Sequence, residues 1–354
     1  TIFEYLIKDY NTDSGGKYAE YYTPHAVARI MAQIMVPTPV KGAKVYDPSA
    51  GSGTLLMSLA HQIGEENCTI YSEDISQKSS NMLRLNLVLN NLTHSIPNII
   101  KTNTIAQPTY LDNKFDYIVS NPPFKLDFSD FRADLEKDAF KKRFFAGIPN
   151  IPKTKKESMA IYLLFIQHIM FSLSDAGKAA IVVPTGFITA QSGIDKKIRE
   201  RLITNGWLRG VVSMPSNIFA TTGTNVSVLF LDKEADSEHI VLLDASKLGE
   251  TIKEGKNQRT VLTPTEEQLI IDTFNNKQAV EDLSVVVTKA EIEAKNYSFS
   301  AGQYFEVKME HVDITPEQFA SKMKTFESNL ESLFAESKNL EIEIQNNLKG
   351  LRYE

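Results

Sequence analysis

Short apolar runs alternate with helical patterns along most of this 354-residue chain. The runs are rich in β-branched and aromatic residues, which favour strands, and the segments between them carry apolar residues at helical spacing. The predicted strands are 44–46, 69–71, 115–119, 179–183, 208–213 and 226–231, and the predicted helices are 24–35, 55–62, 78–90, 159–173 and 196–205. This alternation predicts an α/β fold, a mostly parallel sheet with helices on both faces and ligand sites at the carboxyl ends of its strands.

The composition excludes several classes of site. The net charge of −6 argues against a chain that holds DNA by itself, because phosphate neutralisation dominates such binding. The one cysteine, Cys68, excludes an internal disulfide and a cysteine-rich metal site, and the six histidines show no HExxH spacing, so no metal is expected. The longest apolar stretch, 159–173, is too short to span a bilayer, and no secretory signal opens the chain. We therefore expect a cytoplasmic protein without a membrane partner.

Four segments are predicted along the chain: 1–20 as the remnant of an upstream helical segment, 21–233 as the catalytic domain, 234–310 as an accessory mixed region and 311–354 as a long C-terminal helix. The last segment carries a heptad-like seam, which consists of Met323, Phe326, Leu330, Leu333, Leu340, Ile344 and Leu351, with Ser337 and Asn347 in the same register. Such a helix can join a coiled coil with a partner or fold back on its own domain. The pattern leaves both options open.

A glycine-containing loop, 47–54, follows the first predicted strand and opens a helix. It is no dinucleotide fingerprint, because Leu56 stands where GxGxxG needs its third glycine, and it has no phosphate-loop lysine. Asp47 at the strand end would repel a pyrophosphate, but it suits a ligand with an ammonium group and a sulfonium. The alternative is an ordinary acidic turn between a strand and a helix.

The second predicted strand ends in the acids Glu73 and Asp74. An acid at this place can accept hydrogen bonds from both hydroxyls of a ribose, as it does in dinucleotide sites. An acid, glycines and a further acid together describe a cofactor with an amino-acid tail, a ribose and no phosphate.

The run Asn121-Pro122-Pro123-Phe124 follows the buried strand 115–119. Two prolines fix φ and remove two backbone donors, so the loop presents acceptors: the Asn121 side-chain oxygen and backbone carbonyls. Two acceptors can hold both hydrogens of a planar NH2 group while Phe124 stacks on the attached ring. Such bonds strengthen as the nitrogen becomes tetrahedral, and alignment with an activated methyl supplies further acceleration. The alternative is a simple turn, since these residues favour turns.

These motifs, in this order, resemble those of the DNA amino-methyltransferases, above all the modification (M) subunit of type I restriction–modification systems in the N6-adenine DNA methyltransferase family. The resemblance implies a Rossmann-like S-adenosylmethionine-dependent methyltransferase fold with a C-terminal helical extension. By resemblance the cofactor-binding residues are Tyr22, Thr23, Pro24, Asp47, Ser49, Gly51, Gly53, Thr54, Asp74, Ile75, Asn103 and Asn121, and the catalytic residues are Asn121, Pro122, Pro123 and Phe124.

The resemblance also implies individual roles. Residues 22–24 would close over the methionine part of the cofactor, Asp74 would take the ribose hydroxyls and Ile75 would pack on the adenine ring. Asn103 would contact the edge of that adenine. Because Glu73 is an adjacent acid, the identity of the ribose-binding residue stays open between Glu73 and Asp74.

The implied partners are double-stranded DNA with a flipped adenine, a specificity (S) subunit, a restriction (R) subunit and a second M subunit. The 311–354 helix would dock on the S subunit, and 219–231 resembles a late motif near the target pocket. The chain departs from the family in showing only a stub of the usual N-terminal helical domain. Competing functions are methylation of a protein glutamine, whose enzymes usually carry tyrosine in place of Phe124, methylation of an RNA amine, and a non-catalytic cofactor-binding scaffold.

Overall fold

The computed structural model describes residues 23–219, 225–254, 257–305 and 315–350. The predictions for Tyr22 and for segment 1–20 lie outside the described residues. The chain divides into two compact units, residues 1–305 and residues 306–354. The first unit contains all the strands that the structure describes.

A nine-stranded sheet forms the centre of the first unit, in the order β11-β8-β6-β7-β5-β4-β1-β2-β3. Its strands are β1 (Ala43–Asp47), β2 (Cys68–Asp74), β3 (Ile99–Lys101), β4 (Phe115–Ser120), β5 (Leu173–Pro184), β6 (Leu208–Ser213), β7 (Val226–Asp232), β8 (Ile240–Asp244) and β11 (Ser284–Val287). Neighbouring strands are parallel except where β7 pairs with β5 and β6 and where β11 pairs with β8. The expectation of a mostly parallel sheet is confirmed.

Helices cover both faces of this sheet. In chain order they are α1 (His25–Met35), α2 (Thr54–Ile63), α3 (Gln77–Leu89), α4 (Asp138–Lys141), α5 (Tyr162–Ser172), α6 (Gly186–Thr189), α7 (Gly193–Thr204), α8 (Pro264–Asn275) and α9 (Lys289–Ala294). Successive strand residues point to opposite faces, so Val45 belongs to the hydrophobic cluster beneath α1, α2 and α3, and Tyr46 to the cluster beneath α5 and α7. The two-sided covering explains why the central strands are continuous apolar runs.

The predicted boundary at residue 233 falls inside the sheet, because β8 pairs in parallel with β6 and β11 extends the same edge. Between them lie α8 and a hairpin of β9 (Glu250–Glu254) and β10 (Asn257–Val261). Arg29 of α1 donates two hydrogen bonds to Glu267 of α8, at 2.6 and 2.9 Å. The residues after 233 therefore complete the sheet.

The strand order places a crevice between β1 and β4. From β1 the chain proceeds outward to β2 and β3, and then returns to the other side of β1 as β4. In open α/β sheets ligands bind at such a reversal, outside the carboxyl ends of the two strands. Asp47 ends β1, and Asn121 directly follows β4.

The second unit consists, in its described part, of one helix, α10 (Pro316–Gly350). The apolar seam residues from Met323 to Ile344 are exposed on it, and Leu351 lies outside the described residues. None of the helices in the described ranges combines the length and the hydrophobicity that a membrane span requires.

Candidate cofactor and amine site

The loop between β1 and α2 depends on its two glycines. Gly51 and Gly53 have φ angles of 55° and 88°, in the left-handed region where other residues are strained. A Cβ added to Gly53 would lie 2.3 Å from Cδ1 of Leu83, so α3 packs directly against this glycine. A Cβ added to Gly51 would meet nothing within 4 Å. One glycine therefore permits close helix packing, and the other borders open space.

Asp47 anchors the start of the loop. Its Oδ1 accepts a hydrogen bond from the Ser49 amide at 2.8 Å, and its side chain is only 2% exposed. The Ser49 hydroxyl lies 2.8 Å from the hydroxyl of Ser120, the last residue of β4. This contact joins the glycine loop to the strand that leads into Asn121.

Asp74 closes the other side of the loop. One of its carboxylate oxygens accepts the Gly51 amide at 2.9 Å, and the other accepts the Ser76 amide at 2.7 Å. The next side chain, Ile75, is 68% exposed. Asp74 thus borders the glycine loop at Gly51, where an added Cβ would meet nothing within 4 Å.

Glu73 occupies a different environment. It is fully buried, and its carboxylate accepts hydrogen bonds from the Tyr46 hydroxyl at 2.6 Å and from the Thr109 amide at 2.5 Å. Because neighbouring strand residues point to opposite faces, Glu73 faces the α5 side while Asp74 faces the glycine loop. The geometry separates two acids that the sequence leaves equivalent.

Burial disfavours the ionised forms of both Asp47 and Asp74, and a cation bound beside them would favour their ionisation. Burial, reinforced by the nearby charge of Asp74, raises the pKa of Asp47 to about 8 despite the hydrogen bonds from Ser49. Burial also raises the pKa of Asp74, against the two backbone amides that hold it. The two carboxyl groups, the open space at Gly51 and the exposed Ile75 fit a ligand that is cationic, carries a ribose and lacks phosphate.

Asn103 begins a tight turn after β3. Its Oδ1 accepts hydrogen bonds from the amides of Ile105 and Ala106, each at 3.1 Å. These two bonds fix the orientation of the amide group and leave Nδ2 as the part that can contact a ligand.

Arg143 supports this turn, and no motif in the sequence predicts that it does so. The fully buried guanidinium donates to the carbonyls of Thr104, at 3.2 Å, and of Ile105, and it packs over the rings of Phe140 and Phe144. Burial lowers the pKa of Arg143 to about 10, which still leaves it charged at neutral pH. In the sequence Arg143 ends the basic run Lys141-Lys142-Arg143 between Phe140 and Phe144, and this local pattern does not reveal so distant a partner.

Asn121 is held beside the crevice by Thr23. Its Nδ2 donates a hydrogen bond to the Thr23 hydroxyl at 3.1 Å, and Thr23 is 5% exposed. Thr23 does not cap α1: Pro24 is the N-cap, and no side-chain hydrogen bond caps this end of the helix. Within the described part of the chain, Oδ1 of Asn121 accepts no hydrogen bond, so it remains available to an incoming donor.

The rest of the loop is firmly packed. Pro122 is buried, whereas Pro123 and Phe124 are half-buried. The ring of Phe124 meets the edge of Tyr162 at a centroid distance of 6.1 Å, and the Tyr162 hydroxyl donates to Asp195 at 2.6 Å. An aromatic side chain held in this way can stack on a planar substrate.

The structure therefore brings together Thr23, Asp47, Asp74 and Asn121 at one edge of the sheet, with Asn103 on the turn after β3. Thr54 begins α2. The late motif 219–231 is only partly visible, since residues 220–224 lie outside the described ranges.

Comparison with known proteins places these motifs in a family. The sequence profile of the family described as N-6 DNA Methylase matches residues 1–313. The chain is 28% identical to the type I restriction enzyme MpnII methylase subunit of Mycoplasma pneumoniae, over 99% of this chain and 63% of that protein. It is 25% identical to the HindI methylase subunit of Haemophilus influenzae, over 100% of this chain and 78% of the relative.

Solved structures agree. The methyltransferase subunit of a type I restriction-modification system from Streptococcus thermophilus superimposes with a TM-score of 0.69 at 25% identity, over 86% of this chain and 63% of the other. The EcoKI M protein gives a TM-score of 0.56 at 18% identity, over 95% and 77%, and this likeness concerns the fold alone. These matches confirm the Rossmann-like methyltransferase fold.

Proposed function

Because this chain belongs to the N-6 DNA methylase family, we propose that it transfers a methyl group from S-adenosylmethionine to the N6 amino group of adenine in DNA. One observation carries the proposal. Asn121, whose side-chain oxygen is available, lies next to the acidic glycine loop, and the contact between Ser49 and Ser120 joins that loop to the strand before Asn121. The chain spans 63% of the length of its M. pneumoniae relative, so the activity of the whole protein and its partners are included in the proposal.

The cofactor would lie along the carboxyl ends of β1 and β2. Asp47 would pair with the ammonium group in the methionine part of the cofactor. The Asp74 carboxylate, which now accepts the Gly51 and Ser76 amides, would accept the ribose hydroxyls in their place or in addition to them. Ile75 would cover one face of the adenine, which accounts for its exposure. Asn103 would donate through Nδ2 to a ring nitrogen of the adenine, because its oxygen is already engaged by two amides.

The chemistry on the amine would come from the 121–124 loop. S-adenosylmethionine supplies a methyl group made electrophilic by its sulfonium. Asn121 Oδ1 and a carbonyl of the rigid loop would accept the two amine hydrogens, and Phe124 would stack on the flipped base. Both bonds strengthen as the nitrogen loses its planarity, so they stabilise the transition state more than the ground state.

The proposed partners are those of a type I restriction–modification complex, and two features of the chain support them. The exposed apolar seam of α10 would pack against helices of a specificity subunit, which supplies the sequence recognition. A restriction subunit and a second copy of the chain would complete the complex on double-stranded DNA. The net charge of −6 accords with a subunit whose partners provide much of the contact with phosphate. Since its substrate is cellular DNA, we place the protein in the cytoplasm.

The substrate class can be tested directly. The chain, co-purified with a candidate specificity subunit, is incubated with methyl-labelled S-adenosylmethionine and unmodified genomic DNA, total RNA or a protein extract, and the labelled products are hydrolysed and identified by mass spectrometry. The proposal predicts N6-methyladenine from DNA. Label in glutamine or in RNA alone would transfer the function to one of the competing classes, and cofactor binding without any transfer would indicate a scaffold.

A further inference from the structure

The turn that carries Asn103 is held by hydrogen bonds at both ends of the same two peptide groups. Asn103 Oδ1 accepts the amides of Ile105 and Ala106, each at 3.1 Å. The Arg143 guanidinium donates to the carbonyls of Thr104, at 3.2 Å, and of Ile105. The Thr104 carbonyl and the Ile105 amide belong to one planar peptide group, and the Ile105 carbonyl belongs to the next one. Arg143 therefore holds the carbonyl ends of the two peptide groups whose amide ends hold Asn103.

The residues on either side of Asn103 contact both walls of the crevice. The Thr102 amide donates to the Asp74 carbonyl at 3.0 Å, and the buried Thr104 hydroxyl donates to the Pro48 carbonyl at 2.7 Å. Asn103 itself is half-buried. These contacts place Asn103 between the end of β2 and the loop that follows β1, so the orientation of its amide bears directly on what the crevice can bind.

An asparagine amide has a donor end and an acceptor end, and Arg143 decides which one Asn103 presents. With Oδ1 engaged by two backbone amides, only the NH2 group is left for a ligand. A cationic donor on the carbonyls polarises both peptide groups, and hydrogen bonds in such a chain strengthen one another. Without the guanidinium the two peptide groups are free to turn, and the Asn103 amide can rotate to present its oxygen.

We propose that Arg143 is a positioning residue for the adenine of the cofactor, which fixes Asn103 with Nδ2 toward the crevice as the donor to a ring nitrogen. The inference rests on the proposed function, because it takes S-adenosylmethionine as the ligand. Arg143 is only 1% exposed, and its hydrogen bonds to the described residues go to this turn, so it acts through Asn103 and does not contact the ligand.

Binding of S-adenosylhomocysteine, the cofactor product without the methyl group, tests this role in the absence of any transfer. Three deaza analogues replace adenine N1, N3 or N7 by a CH group, so each removes one acceptor. Calorimetry measures the affinity of each protein variant for all four ligands, and urea unfolding measures its stability. The wild type should bind one of the three analogues about tenfold more weakly than the parent, as for the loss of one hydrogen bond.

Two substitutions of Arg143 and two of a matched control separate positioning from packing. Arg143→Lys keeps the charge but lacks the planar fork that reaches two carbonyls, and Arg143→Met removes both. The control is Arg199 of α7, which is also fully buried. Its guanidinium likewise donates to backbone carbonyls, those of Phe187, Ala190 and Tyr297. Arg199→Lys and Arg199→Met therefore disturb an equivalent network that does not hold the Asn103 turn.

In both Arg143 variants the tenfold loss with the sensitive analogue should shrink to about threefold or less, because the donor is no longer fixed. In the Arg199 variants it should stay at about tenfold, although their stability falls as well. Asn103→Ala should remove the sensitivity, and Arg143→Lys in that background should change the ratio of affinities no further, since the two residues act in one chain.

A wild type that is indifferent to all three analogues would overturn the inference, and so would an undiminished loss in both Arg143 variants or an equal reduction in the Arg199 variants. A further change caused by Arg143→Lys in the Asn103→Ala background would overturn the route through Asn103. The binding comparison needs no methyl acceptor. A wild type that shows the expected pattern but methylates no DNA would count against the proposed function alone.

Discussion

Replacing Gly53 by alanine should destabilise the protein by about 2 to 5 kcal/mol. The left-handed φ of 88° costs a residue with a Cβ about 1–2 kcal/mol. The added methyl would stand 2.3 Å from Leu83 Cδ1, and forcing such an overlap in a packed core costs about 1–3 kcal/mol more. Gly51→Ala has the strain without the overlap, because nothing lies within 4 Å of its added Cβ. It should cost only about 1–2 kcal/mol.

Urea unfolding followed by circular dichroism gives the free energies, and calorimetry gives the affinity for S-adenosylmethionine. Leu83→Ala removes the clashing carbon, so in that background Gly53→Ala should cost only the strain of about 1–2 kcal/mol. Gly51→Ala, whose methyl enters the open space, should weaken cofactor binding about tenfold or more while losing only the about 1–2 kcal/mol of unfolding free energy that its backbone strain costs. An identical cost of Gly53→Ala in both backgrounds, or equal destabilisation by the two alanines, would refute this reasoning.

Further predictions concern the acids and the C-terminal helix. The pKa of Asp47 is about 8 in the folded protein and ordinary in the unfolded chain, so the free energy of unfolding should fall as the pH rises from about 4 to 8. The ionised form should bind the cationic cofactor more tightly toward pH 8. Asp47→Asn should flatten both pH profiles, the first measured by urea unfolding and the second by calorimetry. Asp74→Asn should lower cofactor affinity about tenfold or more, whereas Glu73→Gln should lower the free energy of unfolding and leave cofactor affinity unchanged. The reverse pattern would identify Glu73 as the residue that binds the ribose. Leu333→Glu in the apolar seam should abolish co-purification with a specificity subunit, whereas Ser328→Glu, two positions from the seam, should not. If both variants still co-purify with the specificity subunit, the seam is not part of that interface.

Local patterns predicted the central elements because each is a long apolar run with a clear period. The runs at β4, β6 and β7 coincide with the observed strands to within one residue at each end. Strand β3 was not predicted because it has three residues, too few to establish a period. Strand β8 is an equally apolar run, but it lies in a polar stretch where the alternation with helices breaks down.

Of the candidate site, only the residues at the ends of strands could be predicted from the sequence. Asp47, Asp74 and Asn121 each terminate or follow a strand, so parallel topology brings them to one edge. The Thr23–Asn121 bond joins residues 98 positions apart, and Arg143 reaches a turn 38 and 39 positions away. Such contacts depend on tertiary packing and leave no local periodicity. Thr23 before a proline is typical of a helix cap, and its use as a partner for Asn121 could be seen only in three dimensions.

The division of labour between the acidic loop and Asn121 is the central claim, and three single substitutions measure it: Asn121→Ala, Asp47→Ala and, as an exposed control, Asn205→Ala. Cofactor affinity by calorimetry and the single-turnover rate of methyl transfer to DNA are determined for each. We expect Asn121→Ala to lose about 100- to 1000-fold in rate with nearly unchanged affinity, Asp47→Ala to lose affinity first, and Asn205→Ala to match the wild type. Equal loss of affinity in the Asn121 and Asp47 variants, or an undiminished rate without Asn121, would contradict the account.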